Sequence, residues 1–388
     1  MVSAHTRMHV YERQGGFRGG FGAAVSLHCH TYHSKEILSF IPHYAAMIPV
    51  VSRLFKGEMD RYLTLHGKTI DFSHAYWTPP VSPGQVFEIE TLQIEKELCL
   101  PALVSITDHD DIEAGLHLQV LDSINRIPIS LEWTVPYGQG LFHLGVHNLP
   151  AESATELTRE LMKYTRRAED AMELSDLLTL INESPDTLIV FNHPLWDIEL
   201  IGSKEHADGL KAFLSEHGHQ IHALEINGFR SWHENKGVMR LAEDLDLPVV
   251  TGGDRHGCRA NTLLNLTRAK TFADFAAEIR EDSHSDVLLM PEYRESRIAR
   301  TFEVVADVLR HYPRHPLGRG KWTDRIFIDI NDGLGVCPLS RHWKIGGPAW
   351  VRASLWCLRM LGNHKVQPAL RLALAQEKIA GERVSYES

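Results

Sequence analysis

Apolar residues in this chain come in short runs, and run after run ends on a histidine or a carboxylate. Residues 23–30, AAVSLHCH, open the series, and 103–111, 127–135, 141–149, 187–193, 221–228 and 247–257 repeat it, which predicts seven strands. On the first, the alternation of an extended chain puts His28 and His30 on one face. Windows with helical spacing lie between the strands at 85–98, 112–125, 151–183, 204–217 and 233–244, the first with Val86, Ile89 and Leu92 on its apolar side. The loop at 136–140, PYGQG, is short enough to fold its flanking strands into a tight pair. Strands alternating with helices argue for a mostly parallel sheet. An open doubly wound sheet satisfies that pattern. A closed barrel satisfies it too, and also accounts for ligand-type residues at the carboxyl ends of the strands.

The flanks break the rhythm. Residues 1–21 read as a loose, Gly-rich lead-in. Residues 36–78 interrupt the series just after the first strand, with helical character broken at Pro42 and Pro49, and so read as an inserted lid. Residues 262–292 read as a last strand–helix–strand unit. Beyond them come an amphipathic helix at 294–311, a basic, turn-rich stretch at 313–321 and an apolar segment at 348–361. The expected organisation is a lead-in at 1–21, a metal-binding barrel at 22–292 and a mainly helical appendage at 293–388, whose helices offer a surface for self-association.

Composition narrows the function classes. With 388 residues, 43% hydrophobic and 23% charged, the chain can bury a sizeable core. A formal net charge of −10 argues against a protein that coats nucleic acid or an anionic membrane. Five cysteines without a CxxC pair argue against a disulfide framework and for a reducing compartment. The first twenty residues carry no apolar signal core, and the most apolar stretch, 44–55, is too short to span a bilayer. The expected location is the cytoplasm. The unusual figure is the 24 histidines, many of them at the ends of apolar runs.

Those histidines carry the chemistry. His28, His30, His109, Glu132, His143, His193, Asp254 and His256 fall on six of the predicted strands or at their ends. Singly, each has an ordinary explanation: a hydrogen-bonded core imidazole, a carboxylate on a solvated face, a His-Pro turn. Recurrence on six strands does not. Neutral imidazoles and carboxylates suit zinc, manganese or iron, and a carboxylate can bridge two ions.

The strings LHCHTYHS (27–34), ITDHD (106–110), SLEW (130–133), FHLG (142–145), NHP (192–194), ALEI (223–226) and GGDRHG (252–257), in this order, resemble the signature of the PHP (polymerase and histidinol phosphatase) superfamily. The resemblance spans about residues 22–290. It implies a distorted seven-stranded (β/α) TIM-like barrel holding two to three divalent ions (Zn, Mn or Fe) at the carboxyl ends of its strands. By the same resemblance, His28, His30 and Asp254 hold the first ion, with Glu132 bridging to a third. His109 and His256 serve the second ion, and His143 and His193 complete the third. His147, on the same strand face, is the alternative to His143. Family members often continue His-x-His-Ser-x-x-Ser-Asp-Gly, whereas here Lys35 and Glu36 stand at the corresponding positions. The missing ligand is then His33, Glu36, Asp71 or His74; otherwise the second site is weaker, or Lys35 neutralises a substrate phosphate.

The activity implied is hydrolysis of a phosphoester by a metal-bridging hydroxide, with a phosphomonoester of a nucleotide or small metabolite as the favoured substrate. Asp254 or His256 would move the proton, and Arg230, Arg255 and Lys35 are candidate phosphate contacts. By alternation, Arg255 would point away from Asp254 and His256. Trp196 and Trp232 fall at the same rim, either to stack on a substrate ring or to cap the fold. Two other readings stay open. One is a phosphodiesterase or exonuclease of the same chemistry, whose basic groove would come from Arg310, Arg314, Arg319, Lys321 and Arg325. The other is a non-catalytic, metal-stabilised regulatory domain with the C-terminal helices as its partner surface.

Overall fold

A computed structural model describes residues 5–11, 20–121, 127–331, 333 and 335–374. Its strands form three sheets. The first runs, edge to edge, β1 (His5–Val10), β12 (His284–Leu289), β11 (Leu263–Thr267), β2 (Ala23–Ser26) and β5 (Ala102–Val104). Here β11 is antiparallel to both neighbours, while β1 with β12 and β2 with β5 are parallel. The second runs β10 (Val249–Gly252), β9 (Ala223–Asn227), β8 (Leu188–Asn192), β7 (Gly140–His147) and β6 (Leu131–Tyr137). It is parallel from β10 to β8 and antiparallel from there on. Every residue of β2, β8, β9, β10 and β11 is buried, which is why these strands read as unbroken apolar runs. A core around Trp133, Phe142, Phe191 and Phe213 seals the second sheet beneath the helices Ala154–Thr165, Leu174–Asn182 and Ser203–His217.

The expected closed barrel does not form, because none of the three sheets closes on itself. Closure needs a continuous ladder around the ring. The two large sheets instead meet through single bridges, Cys29–Arg255 and His109–Glu132. Local chain geometry explains the interruption. His28, Asp110, His193 and Asp254 all take left-handed backbone angles, so β2, β5, β8 and β10 cannot extend past them. The sheets are also only partly parallel. The tight pair expected at 136–140 is a hairpin with Tyr137 opposite Gly140, and Gly138 sits at φ 59°, as the first central residue of a II′-type turn requires.

Smaller expectations also shift. The window 151–183 holds two helices, with Arg167 at φ 52° between them. In the window 85–98, Val86, Glu90, Ile94 and Leu98 face inward, whereas Leu92 is exposed. The lead-in contributes a strand, β1, beside β12.

The third sheet joins the insertion to the C-terminal segment. Its order is β14 (Cys337–Pro338), β13 (Ile326–Asp329), β4 (Asp71–Trp77) and β3 (Glu36–Ile37), antiparallel throughout. The segment expected to be mainly helical therefore supplies two strands. Between β3 and β4 lie the helices Ile41–Met47 and Pro49–His66, neither with a buried residue. The longer one starts on a proline, whose missing N–H costs nothing there, and stops at Gly67 in a left-handed cap whose N–H reaches the Leu63 carbonyl. Among the described residues no helix is long and apolar enough to cross a membrane.

Candidate metal centre

Glu132 is the hub of the site. It stands on β6 with 1% of its side chain exposed, and five imidazoles converge on its two oxygens. Oε2 lies 3.0 Å from His28 Nε2, 3.4 Å from His30 Nε2 and 3.4 Å from His109 Nδ1. Oε1 lies 3.2 Å from His143 Nδ1 and 3.1 Å from His193 Nε2, and accepts a hydrogen bond from Asn192 Nδ2 at 3.0 Å. Two further carboxylates flank this centre. Asp254 Oδ1 is 3.6 Å from His30 Nε2, 3.9 Å from His28 Nε2 and 3.5 Å from His256 Nδ1. Glu36 Oε2 is 3.0 Å from His256 Nε2 and 3.3 Å from His109 Nε2.

The chain reaches this arrangement through irregular backbone rather than strand alternation. β2 ends at Ser26, so His28 and His30 do not share a strand face as expected; His28 turns left-handed and the two rings come together at 5.0 Å. His193 and Asp254 are also left-handed, at φ 29° and 52°. Such angles cost a non-glycine residue on the order of 1–3 kcal/mol and persist only where the surroundings over-determine them. Here they do. The Asp254 N–H donates to the His28 carbonyl at 2.7 Å, and the His193 N–H donates to Glu225 Oε2 at 2.9 Å. Glu225 also holds His28 Nδ1 at 2.5 Å. Position 252 must be glycine, since a Cβ would run into both the Glu225 carboxylate and His28 Cβ. Asp108 secures the loop by accepting from the Thr31 N–H at 2.5 Å and the Thr31 hydroxyl at 2.6 Å.

The electrostatics are those of a buried, densely charged cluster. Burial works to raise the acids, yet His28, His109 and His143 drive Glu132 well below the usual carboxylate range. Burial likewise opposes ionisation of Asp254 and Glu36, and the surrounding imidazoles hold both well below their ordinary values. Among the histidines the balance splits. Burial lowers His109, but Glu132 and Glu36 override it and hold the ring at about 10. His30, with burial and His256 both acting downward, falls to about 4, and burial takes His143 to about 4 against the pull of Glu132.

Several observations fit this donor set to divalent cations. The fully buried His30 Nε2 and His143 Nδ1 have no hydrogen-bond partner, which is unusual for buried polar atoms. Four triads bring their donor atoms within 4.8 Å of one another: His28, His30 and Asp254; His28, Glu132 and His193; His30, His109 and Glu132; His30, Glu36 and His256. Tautomers are fixed from outside the cluster, as ligating imidazoles require. His28 Nδ1 faces Glu225, and His256 Nδ1 donates to the Asp254 carbonyl at 2.9 Å, which turns each Nε2 inward.

The structure gathers eight sequence-predicted residues here: His28, His30, His109, Glu132, His143, His193, Asp254 and His256. Of the alternatives for the departed aspartate, Glu36 swings in from β3. His33 packs instead against Tyr32 and His117, and Asp71 is half-buried and bonded to Ser73. His147 stays outside the triads, bonded to Ser105 Oγ at 2.8 Å. Of the expected phosphate contacts, Arg255 is corrected. The Arg255 side chain is buried behind the site with Nε on the Arg259 carbonyl, because its neighbours occupy the inward positions. Lys35 is exposed and leans over Tyr76. Arg230 remains, its guanidinium stacked 3.5 Å from the Trp196 ring, which lies 5.1 Å from His193. Trp232 packs into the core beside Tyr293 rather than at the rim, and Trp77 meets His256 at 5.5 Å. Glu225 is the important omission. Its signal was present: a carboxylate inside an apolar strand, Leu224-Glu225-Ile226, repeats the setting of Glu132 in Leu131-Glu132-Trp133.

No protein-family model matches the chain, and no curated protein matches it. Solved structures overlap it in part. PsfC from Pseudomonas syringae is 14% identical with a TM-score of 0.39, over 70% of this chain and 93% of that one. An amidohydrolase from Chromobacterium violaceum, with sulfate bound and no metal, is 15% identical with a TM-score of 0.30, over 47% of this chain and 84% of that one. A candidate metal-dependent phosphoesterase from Bifidobacterium adolescentis is 14% identical with a TM-score of 0.30, over 52% of this chain and 91% of that one. Overlaps this loose transfer no property of those proteins to this chain.

Proposed function

We propose that the protein is a metal-dependent hydrolase of phosphoesters, with a phosphomonoester of a nucleotide or small metabolite as the favoured substrate. The observation that carries this reading is Glu132 with five imidazoles around its two oxygens, flanked by Asp254 and Glu36. The sequence resemblance to the PHP superfamily supports it. Two to three divalent ions (Zn, Mn or Fe), held by His28, His30, His109, Glu132, His143, His193, Asp254, His256 and Glu36, would supply Lewis acidity and lower the pKa of water.

The chain's own groups do the rest. Glu225 and the Asp254 carbonyl keep the Nε2 lone pairs of His28 and His256 turned inward. Asp254 Oδ1, at the meeting of three imidazoles, is the acceptor for the proton of the attacking water, and His256, its Nδ1 on the Asp254 carbonyl, keeps that residue in place. Arg230 offers a planar cation to phosphoryl oxygens, preorganised by its stack on Trp196. Trp77 against His256 narrows the approach and favours a small substrate.

The nuclease reading loses support. Arg325, part of its basic set, is buried and spends its guanidinium on the carbonyls of Val308, Arg310, Arg319 and Lys321. The regulatory reading rested on the lysine at the aspartate position, and Glu36 supplies the missing carboxylate.

The test is metal content by plasma mass spectrometry, with turnover of p-nitrophenyl phosphate and bis-p-nitrophenyl phosphate by wild type and Asp254→Asn. Two or three ions per chain and Asp254-dependent turnover, faster on the monoester, are the expected results. Less than one ion per chain, with no activity after manganese or zinc is added, overturns the reading.

A further inference from the structure

Beside Arg230 lies a cavity of ≈ 200 Å³ lined by Phe229, Arg230, Arg297, Ile298, Thr301 and Phe302. Two of its walls come from outside the run of motif-bearing strands. Arg297, Ile298, Thr301 and Phe302 all belong to the helix Arg297–Val308. The cavity combines two guanidinium groups, a hydroxyl and three apolar side chains.

Arg230 links it to the site. Its guanidinium stacks on Trp196, which in turn packs on His193, and Asp254 and Glu225 are among the charges acting on it. Its Nε is buried without a hydrogen-bond partner, Glu234 standing off at 3.9 Å. The turn that carries it is pinned from behind. Tyr293 Oη donates to the Arg230 carbonyl at 3.3 Å, and Arg300 Nη1 bonds the Gly228 carbonyl. Arg297 is exposed, lines the cavity and makes no ion pair among the described residues; Thr301 Oγ1 donates to its backbone carbonyl at 2.9 Å. Two like charges along one small cavity repel each other, and a bound anion would relieve that repulsion.

We infer that this cavity receives a second anionic group of the substrate, carried on a small apolar or aromatic leaving group. The inference rests on the phosphoesterase reading and narrows it. The phosphoryl group lies at the metal cluster, Arg230 spans the two places, and Arg297 takes carboxylate or phosphate oxygens at the far end of the leaving group. The apolar walls, Phe229, Ile298 and Phe302, cover the part between. A volume of this size holds a ring or a short chain with its anion, not a whole nucleotide.

The experiment measures binding, so it does not depend on turnover. Calorimetry on the metal-loaded protein compares phenylphosphonate with its 3- and 4-carboxy derivatives and with benzene-1,4-diphosphonate. The expected result is that a second anion tightens binding by about tenfold, the scale of one charge-assisted hydrogen bond. That gain should vanish in Arg297→Met and return in part in Arg297→Lys. The carboxylate and diphosphonate arms tell which anion the cavity prefers. A gain absent from every doubly charged probe, or one that survives Arg297→Met, overturns the inference. Phenyl phosphate hydrolysis is followed separately. No turnover beside an intact, Arg297-dependent gain would sink the phosphoesterase reading while the anion site stands.

Discussion

The cluster at the junction of the two large sheets and the helical pair between β3 and β4 are built on opposite terms. Around Glu132 the polar side chains are buried and crowd on one carboxylate, and the left-handed residues are locked by hydrogen bonds, Asp254 to the His28 carbonyl and His193 to Glu225. The helices Ile41–Met47 and Pro49–His66 bury no residue at all and leave Met47, Val50 and Leu65 largely exposed. The first region is specified by satisfaction of charge, the second by little more than helix start and stop signals. The difference separates parts of the chain that must hold their geometry from parts whose sequence is free to change.

Substitutions can break or sharpen that contrast. The largest effect is expected at Glu132. Glu132→Gln removes the counter-charge that faces five imidazoles, and breaking a buried ion pair costs about 3–5 kcal/mol. Urea unfolding of chelator-treated protein should show a loss of that order. A loss under about 1 kcal/mol would mean that the backbone alone holds the imidazoles. Next comes Glu225→Gln, which leaves the cluster intact but frees the His28 tautomer. Metal affinity, read by competition with a chelating dye, should fall about 10- to 100-fold. Unchanged affinity would reduce Glu225 to a buried packing residue. The smallest effect belongs to the outer helix. Val50→Glu combined with Leu54→Glu should change unfolding free energy by no more than about 0.5 kcal/mol and leave metal affinity where it was. A larger loss would show that this exposed face is covered in solution.

The sequence disclosed the two regions unequally. The buried strands were legible because both of their faces are apolar, and the gathering of their last residues was legible because imidazoles and carboxylates rarely end such runs by chance. Closure was not legible. Whether strands join into one ring depends on edge pairing between segments far apart in the chain, and left-handed residues such as His28 and Asp254 carry no mark in composition. The third sheet was hidden for the same reason, since β4 finds β13 some 250 residues away. In the site, Glu36 stood among several alternatives because only tertiary structure brings β3 to the cluster. Alternation already turned Arg255 away from Asp254 and His256, and the structure keeps it there. Glu225 was the avoidable miss.

The strand β3 has a consequence for how the protein is made. It carries Glu36, pairs with β4, and β4 in turn pairs along its other edge with β13. The Glu36 carboxylate is therefore secured by a strand that leaves the ribosome long after it. If Glu36 and His256 hold an ion as proposed, nascent chains that end before residue 326 should bind it more weakly than the finished protein, while His28, His30, Glu132 and His193 are already together. Metal loading measured on ribosome-arrested chains of increasing length would then rise in two steps, the second coinciding with the emergence of β13.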